Sequence, residues 1–358
     1  MRAIAIMVFL ATTQLSGAAA QQGAADSAQT VAAAPLFSDQ EVLELHLEAP
    51  LSSIFRERGE QRTYRDGRLQ VHDPVAGAFS VDVQVRKRGN FRADPANCDF
   101  PPLRLNLPPD SVEGTVLAGL ERLWVTTHCR DRDPLYEQIV LREYLAYRIY
   151  NLLTDVSVRV RLVRITYVDS DGRREPVTRY AFIAEDYNHT AARHGWEVLR
   201  VRGVLPDQYE RDQLSLYEVF QYMIGNTDWA VIRPRRGEEW CCHNSMPVGT
   251  FVGPVLPLPF DFDWSGLVDA PYALPNERLG IRSVRERRFW GICRPREELE
   301  AAFPIFNEQR DALYELVRNQ EGLDPRYLEE TVEYFDEFYD VLNDPDEVTR
   351  EMIRKCRS

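Results

Sequence analysis

Apolar and polar positions alternate along this chain in two rhythms, and the change from one to the other divides it. In the first half the dominant period is two. Residues 79–85 (FSVDVQV) place Phe79, Val81, Val83 and Val85 on one face, the spacing of a half-buried strand. Residues 101–107 (PPLRLNL) repeat it with Leu103, Leu105 and Leu107, leaving Arg104 and Asn106 on the other face. Val42, Leu43, Leu45 and Leu47 suggest a strand or short helix before Pro50, and a hairpin is predicted over 63–71 around Asp66-Gly67. A long strand over 156–168 turns at Asp171-Gly172 into an antiparallel partner over 179–185. One helix interrupts this half, over 136–153, with an apolar stripe of Ile139, Leu141, Leu145, Ile149 and Leu152 after the start signal Asp133-Pro134. Beyond Glu185 the rhythm becomes helical, over 188–196, 217–224, 297–303, 308–317 and 327–342. The pattern predicts an α+β chain with a β-rich part over 39–187 and a mostly helical part over 188–358.

The N-terminus departs from both rhythms. Arg2, the apolar run from Ala3 to Leu10 and the small residues Ala18-Ala19-Ala20 read as a secretory signal over 1–20. Residues 21–38, rich in Ala, Gln, Ser and Gly, read as a flexible tether. No later segment is apolar enough to span a bilayer, so the expectation is an exported protein, periplasmic or extracellular, with no transmembrane segment once the leader is removed.

Composition narrows the classes. A 44% hydrophobic and 11% aromatic content over 358 residues is that of a folded protein with ample core. A net charge of −13 argues against a nucleic-acid partner. Lysine occurs only at 87 and 355, so arginine carries the rest of the positive charge. The six cysteines, in an exported chain, favour disulfides. Cys98 with Cys129 and Cys241 or Cys242 with Cys293 are the expected pairs. A zinc site from Cys241, Cys242 and His243 is disfavoured, because adjacent thiolates share a tetrahedral ion poorly.

The candidate chemistry lies in 217–266, which begins YEVFQYMIGNTDWAV and ends PLPFDFDWSG. It offers Asp228 after a helix, then Asn244, then Asp261 and Asp263 at a strand end. Phosphotransferases of the protein-kinase type use that order, with one Asp handling the acceptor hydroxyl and the Asn and later Asp holding the metal that bridges the nucleotide phosphates. Each residue has a plainer reading. Asp228 and Asn244 can be turn residues, and Asp261 with Asp263 solvated loop acids. Glu143 can be a surface helix acid, Glu185 a charged strand end, and Arg86-Lys87-Arg88 with Arg92 a solvated turn.

Arg88-Gly89-Asn90, the 103–107 strand, the helix at Glu143, the strand ending in Glu185, Gly225-Asn226-Thr227-Asp228, Asn244 and Asp261-Phe262-Asp263 together resemble the spore-coat (CotH-type) family of atypical secreted kinases. The resemblance covers about residues 80–270. It implies a two-lobed, protein-kinase-like fold with an antiparallel β-rich N-lobe carrying one main helix and a mostly helical C-lobe. It also implies ATP or another nucleotide with Mg²⁺ or Mn²⁺, and a protein or small-molecule acceptor. Asp228 is then the base, Asn244, Asp261 and Asp263 the metal residues, and Arg104, Lys87, Glu143 and Glu185 the nucleotide residues, with Glu143 steadying Arg104. The chain differs from that family in carrying Arg104 where lysine is usual. It differs also in the long gap between Asp228 and Asn244. The alternative is a catalytically silent relative that binds an envelope partner; a histidine-rich metallohydrolase ranks last.

Overall fold

The computed structural model describes residues 32–59, 62–73 and 77–357. The leader expected at 1–20, and the tether as far as residue 31, lie outside them. Strands β1 (Leu43–Ala49), β2 (Arg65–Asp73), β3 (Gly77–Lys87), β4 (Leu103–Asn106), β5 (Arg122–Thr126), β6 (Val160–Asp169) and β7 (Val177–Ala184) form one closed barrel in the order β1-β2-β3-β4-β5-β7-β6. Neighbours are antiparallel except at the closure. There β6 runs parallel to β1, with Leu43 opposite Val163 and Leu47 opposite Tyr167. Closure leaves the ring without an open edge. Alternate side chains from every strand, among them Leu45, Val71, Val83, Leu105, Leu123, Ile165 and Ile183, fill its interior.

This corrects the expected fold. The antiparallel N-lobe of a two-lobed, kinase-like molecule does not form; a closed, mixed seven-stranded barrel takes its place. The reason is physical. A period of two reports which face of a strand is buried but not which strand lies beside it, and the parallel β1–β6 pair joins segments far apart in sequence. β5 (RLWVT), which completes the ring between β4 and β7, has too short a run to be noticed. Gly67 was misread for a related reason. It is no hairpin turn but sits inside β2, opposite Val83. A Cβ there would lie 2.8 Å from the Glu48 carbonyl oxygen, so glycine permits the close approach of β1. The end of the expected tether also packs: Ala34, Leu36 and Phe37 are buried in the barrel core.

The helices do not form a separate lobe. After the short α1 (Leu51–Arg56), α2 (Leu135–Leu153) is buried on nearly every face. It lies between the barrel and the later helices α3 (Tyr187–Arg193), α4 (Arg211–Met223), α5 (Arg296–Glu300), α6 (Phe303–Glu308), α7 (Arg310–Arg318), α8 (Pro325–Leu342) and α9 (Pro345–Glu351). Leu145 and Ile149 of α2, Leu162 and Phe182 of the barrel, and Phe220, Phe306 and Phe338 of α4, α6 and α8 share one apolar cluster. A helix enclosed in this way carries polar residues inward only where they find partners, which bears on Glu143 below. A small antiparallel sheet, β8 (Glu197–Val198), β9 (Ser245–Gly249) and β10 (Val255–Pro259), delivers the chain to Asp261. Among the described residues no helix is long and apolar enough to cross a membrane.

Three disulfides form: Cys98–Cys129, as expected, Cys241–Cys242 and Cys293–Cys356. The expected partnership of Cys293 with Cys241 or Cys242 is therefore corrected. The C-terminal segment runs beside Cys293, whose N–H donates to the Arg357 carbonyl at 2.9 Å, and this brings Cys356 to it. That bridge closes a span of 63 residues containing α5 to α9. Cys356→Ser is expected to lower unfolding free energy by about 2–4 kcal/mol, read as an earlier midpoint in urea without reductant. An unchanged midpoint would show that the bridge contributes nothing.

Candidate functional site

The loop after β3 is anchored before it does any chemistry. The Lys87 ammonium is buried and donates to the carbonyls of Phe55, Glu57 and Ala93, the last at 3.0 Å. Burial, and then neighbouring Arg62, pull its pKa down. The Cys98–Cys129 bridge pins the far end of the loop beside the end of β5. Lys87 is thus a latch whose three donors are used, rather than a free phosphate ligand.

The latch presents Arg92 to three carboxylates from distant parts of the chain. Its Nη1 donates to Glu143 Oε2 at 2.8 Å, its Nη2 to Asp261 Oδ1 at 3.0 Å, and its Nε faces Asp263 Oδ2 at 3.4 Å. Glu143, expected to steady Arg104, is therefore held by Arg92 instead. Asp263 also accepts from the Tyr272 hydroxyl at 3.0 Å, and the Asp261 N–H donates to the Tyr147 hydroxyl at 2.9 Å. Asp261 adopts a left-handed φ of 61°, so the chain leaves its extended path just after β10, where both aspartates reach one guanidinium. Glu143 is 1% exposed and Asp263 6%, whereas Asp261 is 46% exposed. Burial outweighs the attraction of Arg92 and raises the pKa of Glu143 and, further, of Asp263. Arg92 itself stays firmly charged, the three acids and Tyr272 more than offsetting its burial.

One oxygen from each acid lies within 4.8 Å of the others, the grouping a metal ion uses. The donors suit a hard cation such as Mg²⁺ or Mn²⁺. Arg92 binds both oxygens of Glu143, so that residue is committed. Asp261 Oδ2 and Asp263 Oδ1 accept no hydrogen bond from described residues, and these two could hold such an ion.

Beside Asp261 opens a cavity of about 360 Å³ whose lining includes Arg86, Arg88, Arg104, Trp124, Tyr187 and Phe260. Arg88 and Arg104 lie 5.4 and 5.5 Å from the centre of the Trp124 ring, and Arg88 donates to Thr126 Oγ1 at 2.9 Å. Neither these two nor Arg86 pairs with a carboxylate among the described residues, and their Nε atoms are buried without a partner. Burial lowers the pKa of Arg88 and Arg104, and neighbouring Arg92 lowers that of Arg88 further. Trp124, Tyr187 and Phe260 run on in contact, at 5.6 and 4.7 Å between ring centres. The cavity thus sets cationic donors without carboxylate partners beside a run of aromatic faces, a chemistry that can meet an oxyanion and a flat ring.

Of the expected nucleotide residues, Arg104, Lys87, Glu143 and Glu185 all line this cavity. Glu185, however, is spent: Arg193 donates to both its oxygens, at 2.9 and 3.1 Å, and Thr190 adds a bond at 2.9 Å. Asp228 and Asn244 meet each other but do not join the acidic group around Arg92. Asn244 Nδ2 donates to Asp228 Oδ2 at 3.1 Å, His243 Nε2 lies 3.3 Å from the same oxygen, and Arg235 takes Oδ1. The link to Asp261 is through backbone, the Phe260 N–H donating to the Asn244 carbonyl at 3.2 Å. Asp228 lines a different cavity from Asp261. Against burial, which raises it, His243 and Arg235 hold the Asp228 pKa down; hydrogen bonds to Asp228 and Glu238 raise that of His243 despite its burial. Sequence reasoning undervalued Arg92 and passed over Trp124, Tyr187 and Phe260. A loop arginine and scattered aromatics have no periodicity to betray them.

No family model matches this chain, and no curated protein matches it.

Removing the guanidinium should expose the cost of the acids. Arg92→Leu is expected to destabilise by about 3–5 kcal/mol at neutral pH, since it strands buried carboxylates. Acids whose folded pKa is raised bind protons more tightly folded than unfolded. Their contribution is therefore greatest at low pH and is lost as pH rises through the folded value. The deficit of the variant should shrink as pH falls from 8 toward 5, measured by urea unfolding. A deficit independent of pH would show that Arg92 does not balance these charges.

Proposed function

We propose that this chain binds a nucleotide such as ATP in the arginine cavity and transfers a phosphoryl group to a hydroxyl of a protein or small molecule. The observation that carries this reading is the set of Arg86, Arg88 and Arg104, none paired with a carboxylate, lining one cavity with Trp124, over which Arg88 and Arg104 lie, next to the half-exposed carboxylate of Asp261. Fully hydrogen-bonded arginines would be structural; these retain donors for phosphate. Trp124, Tyr187 and Phe260 offer the base a stacking face. Lys87 fixes the loop and Arg92 orients the acids, while Asp261 and Asp263 hold Mg²⁺ or Mn²⁺. A bound divalent ion supplies neutralisation of charge on the phosphate oxygens. Asp228 acts as base only once Arg235 has released it, since both its oxygens are engaged. The order of Arg88, Glu143, Asp261 and Asp263 along the chain supports kinship of chemistry with the CotH-type enzymes.

A second reading is favoured by one observation. Arg92 already bonds all three acids, which suits a protein that captures the ligand without turning it over. The two differ in a single assay: transfer of label from γ-labelled ATP, with Mg²⁺ or Mn²⁺, to a mixed acceptor pool.

Ligand that binds only the folded state raises its melting point, by about 2.7 kcal/mol of stability at a hundredfold excess over Kd. Millimolar ATP with Mg²⁺ is expected to raise the Tm of the wild type. Arg88→Ala with Arg104→Ala should abolish the shift. Asp261→Asn should remove only the part that depends on metal. A wild type indifferent to ATP, with or without the ion, would sink both readings.

A further inference from the structure

A second cavity, of about 780 Å³, lies on the Asp228 side of the molecule and is lined by arginines of a different kind. Arg233, Arg236, Arg278 and Arg357 border it, and none makes a side-chain hydrogen bond or ion pair among the described residues. Arg235, also in its wall, is neutralised by Asp228. Glu277 is the one further acid in the wall, so four guanidiniums outnumber it in a chain of net charge −13. Arg357 is held in place by aromatics, its guanidinium 5.0 Å from the centre of the Trp229 ring and 4.9 Å from that of Trp290. Its Nε and Nη2 are buried without a hydrogen-bond partner. Fixing a cation between two indoles while leaving its donors idle costs free energy, and an arriving carboxylate can return it.

The rest of the lining indicates what the carboxylate is attached to. Trp264, Leu274, Pro275 and Trp290 add apolar surface to the lining beside the arginines. Such a surface suits side chains of an extended polypeptide in which acidic and apolar residues intermingle. It serves a long, uniformly charged polyanion badly, because the net negative charge beyond the groove repels one.

We infer that this groove binds an acidic polypeptide segment, with Arg357 as a fixed carboxylate receptor and Arg233, Arg236 and Arg278 as a cationic rim. The inference stands on the groove alone. Under phosphoryl transfer, the bound segment is the acceptor, presented beside Asp228.

The test is binding without nucleotide. A short fluorescein-labelled peptide of glutamates interspersed with leucines is titrated with the full chain and followed by anisotropy. Binding is expected at low salt, weakening as salt screens the rim, and the lysine counterpart should not bind. Arg233→Glu with Arg236→Glu should weaken binding about tenfold or more by reversing the rim charge, with an unchanged Tm. If that pair perturbs the Tm, Arg278→Glu alone is read instead. Binding untouched by these changes, lost instead with Arg88→Ala and Arg104→Ala, or weaker than that of heparin or an RNA oligomer would overturn the inference. Because ATP is absent, failure of the nucleotide reading leaves this result intact.

Discussion

Three carboxylates around one guanidinium set the terms for the rest of the molecule. Arg92 comes from the loop after β3, Glu143 from the enclosed helix α2, and Asp261 and Asp263 from the segment after β10. None of these charges can be buried alone, because the desolvation of each is worth several kcal/mol. The barrel loop, the central helix and the small sheet must therefore arrive together. The apolar cluster around α2 supplies the cohesion and the ionic centre supplies the register, since it is satisfied in only one arrangement of the three segments. Lys87 and the Cys98–Cys129 bridge belong to the same constraint: they stiffen a loop that would otherwise carry Arg92 on a flexible arm.

Much of this was legible, and the limits are instructive. Strands β3, β4, β6 and β7 and helices α2 and α8 follow from the spacing of their apolar residues. The barrel does not follow, because its closing contact is a parallel pair between β1 and β6 and β5 is a run of only five residues. At the site, the aspartates of PLPFDFDWSG and the pocket position of Arg104 were readable from order alone. The partner of Glu143 was not. A strand arginine looked the natural mate, but pairing depends on how the loop at 88–94 folds back, and that is set by three backbone carbonyls on Lys87 rather than by any pattern of side chains.

The charge economy of the chain also becomes intelligible once positions are known. Arginines in the framework are paired or buried against acids, as Arg193 is with Glu185, Arg161 with Asp39 and Arg294 with Glu218. Arg86, Arg88 and Arg104, and separately Arg233, Arg236, Arg278 and Arg357, have no such acids. Near-exclusive use of arginine suits both groups. A guanidinium keeps its charge when half-buried beside other cations, lies flat against Trp124 or Trp290, and still offers a planar edge to an oxyanion. A lysine in the same places would shed its proton more readily under the desolvation that lowers the pKa of Arg88 and Arg357.

The acidic centre, finally, is not electrically closed. One guanidinium among three carboxylates leaves a formal excess of two negative charges, and two of the acids are almost wholly out of water. Their raised pKa values reflect that: burial disfavours the charged forms by more than Arg92 favours them. A divalent cation on Asp261 and Asp263 would answer the same deficit and need not displace Arg92. Access decides which side such a cation comes from. Asp263 is buried, and Glu143, though it lines the cavity, has both oxygens on Arg92, while Asp261 stands half-exposed in the cavity wall. A ligand whose phosphates lie against Arg88 and Arg104 would therefore share its cation with Asp261 before any other acid.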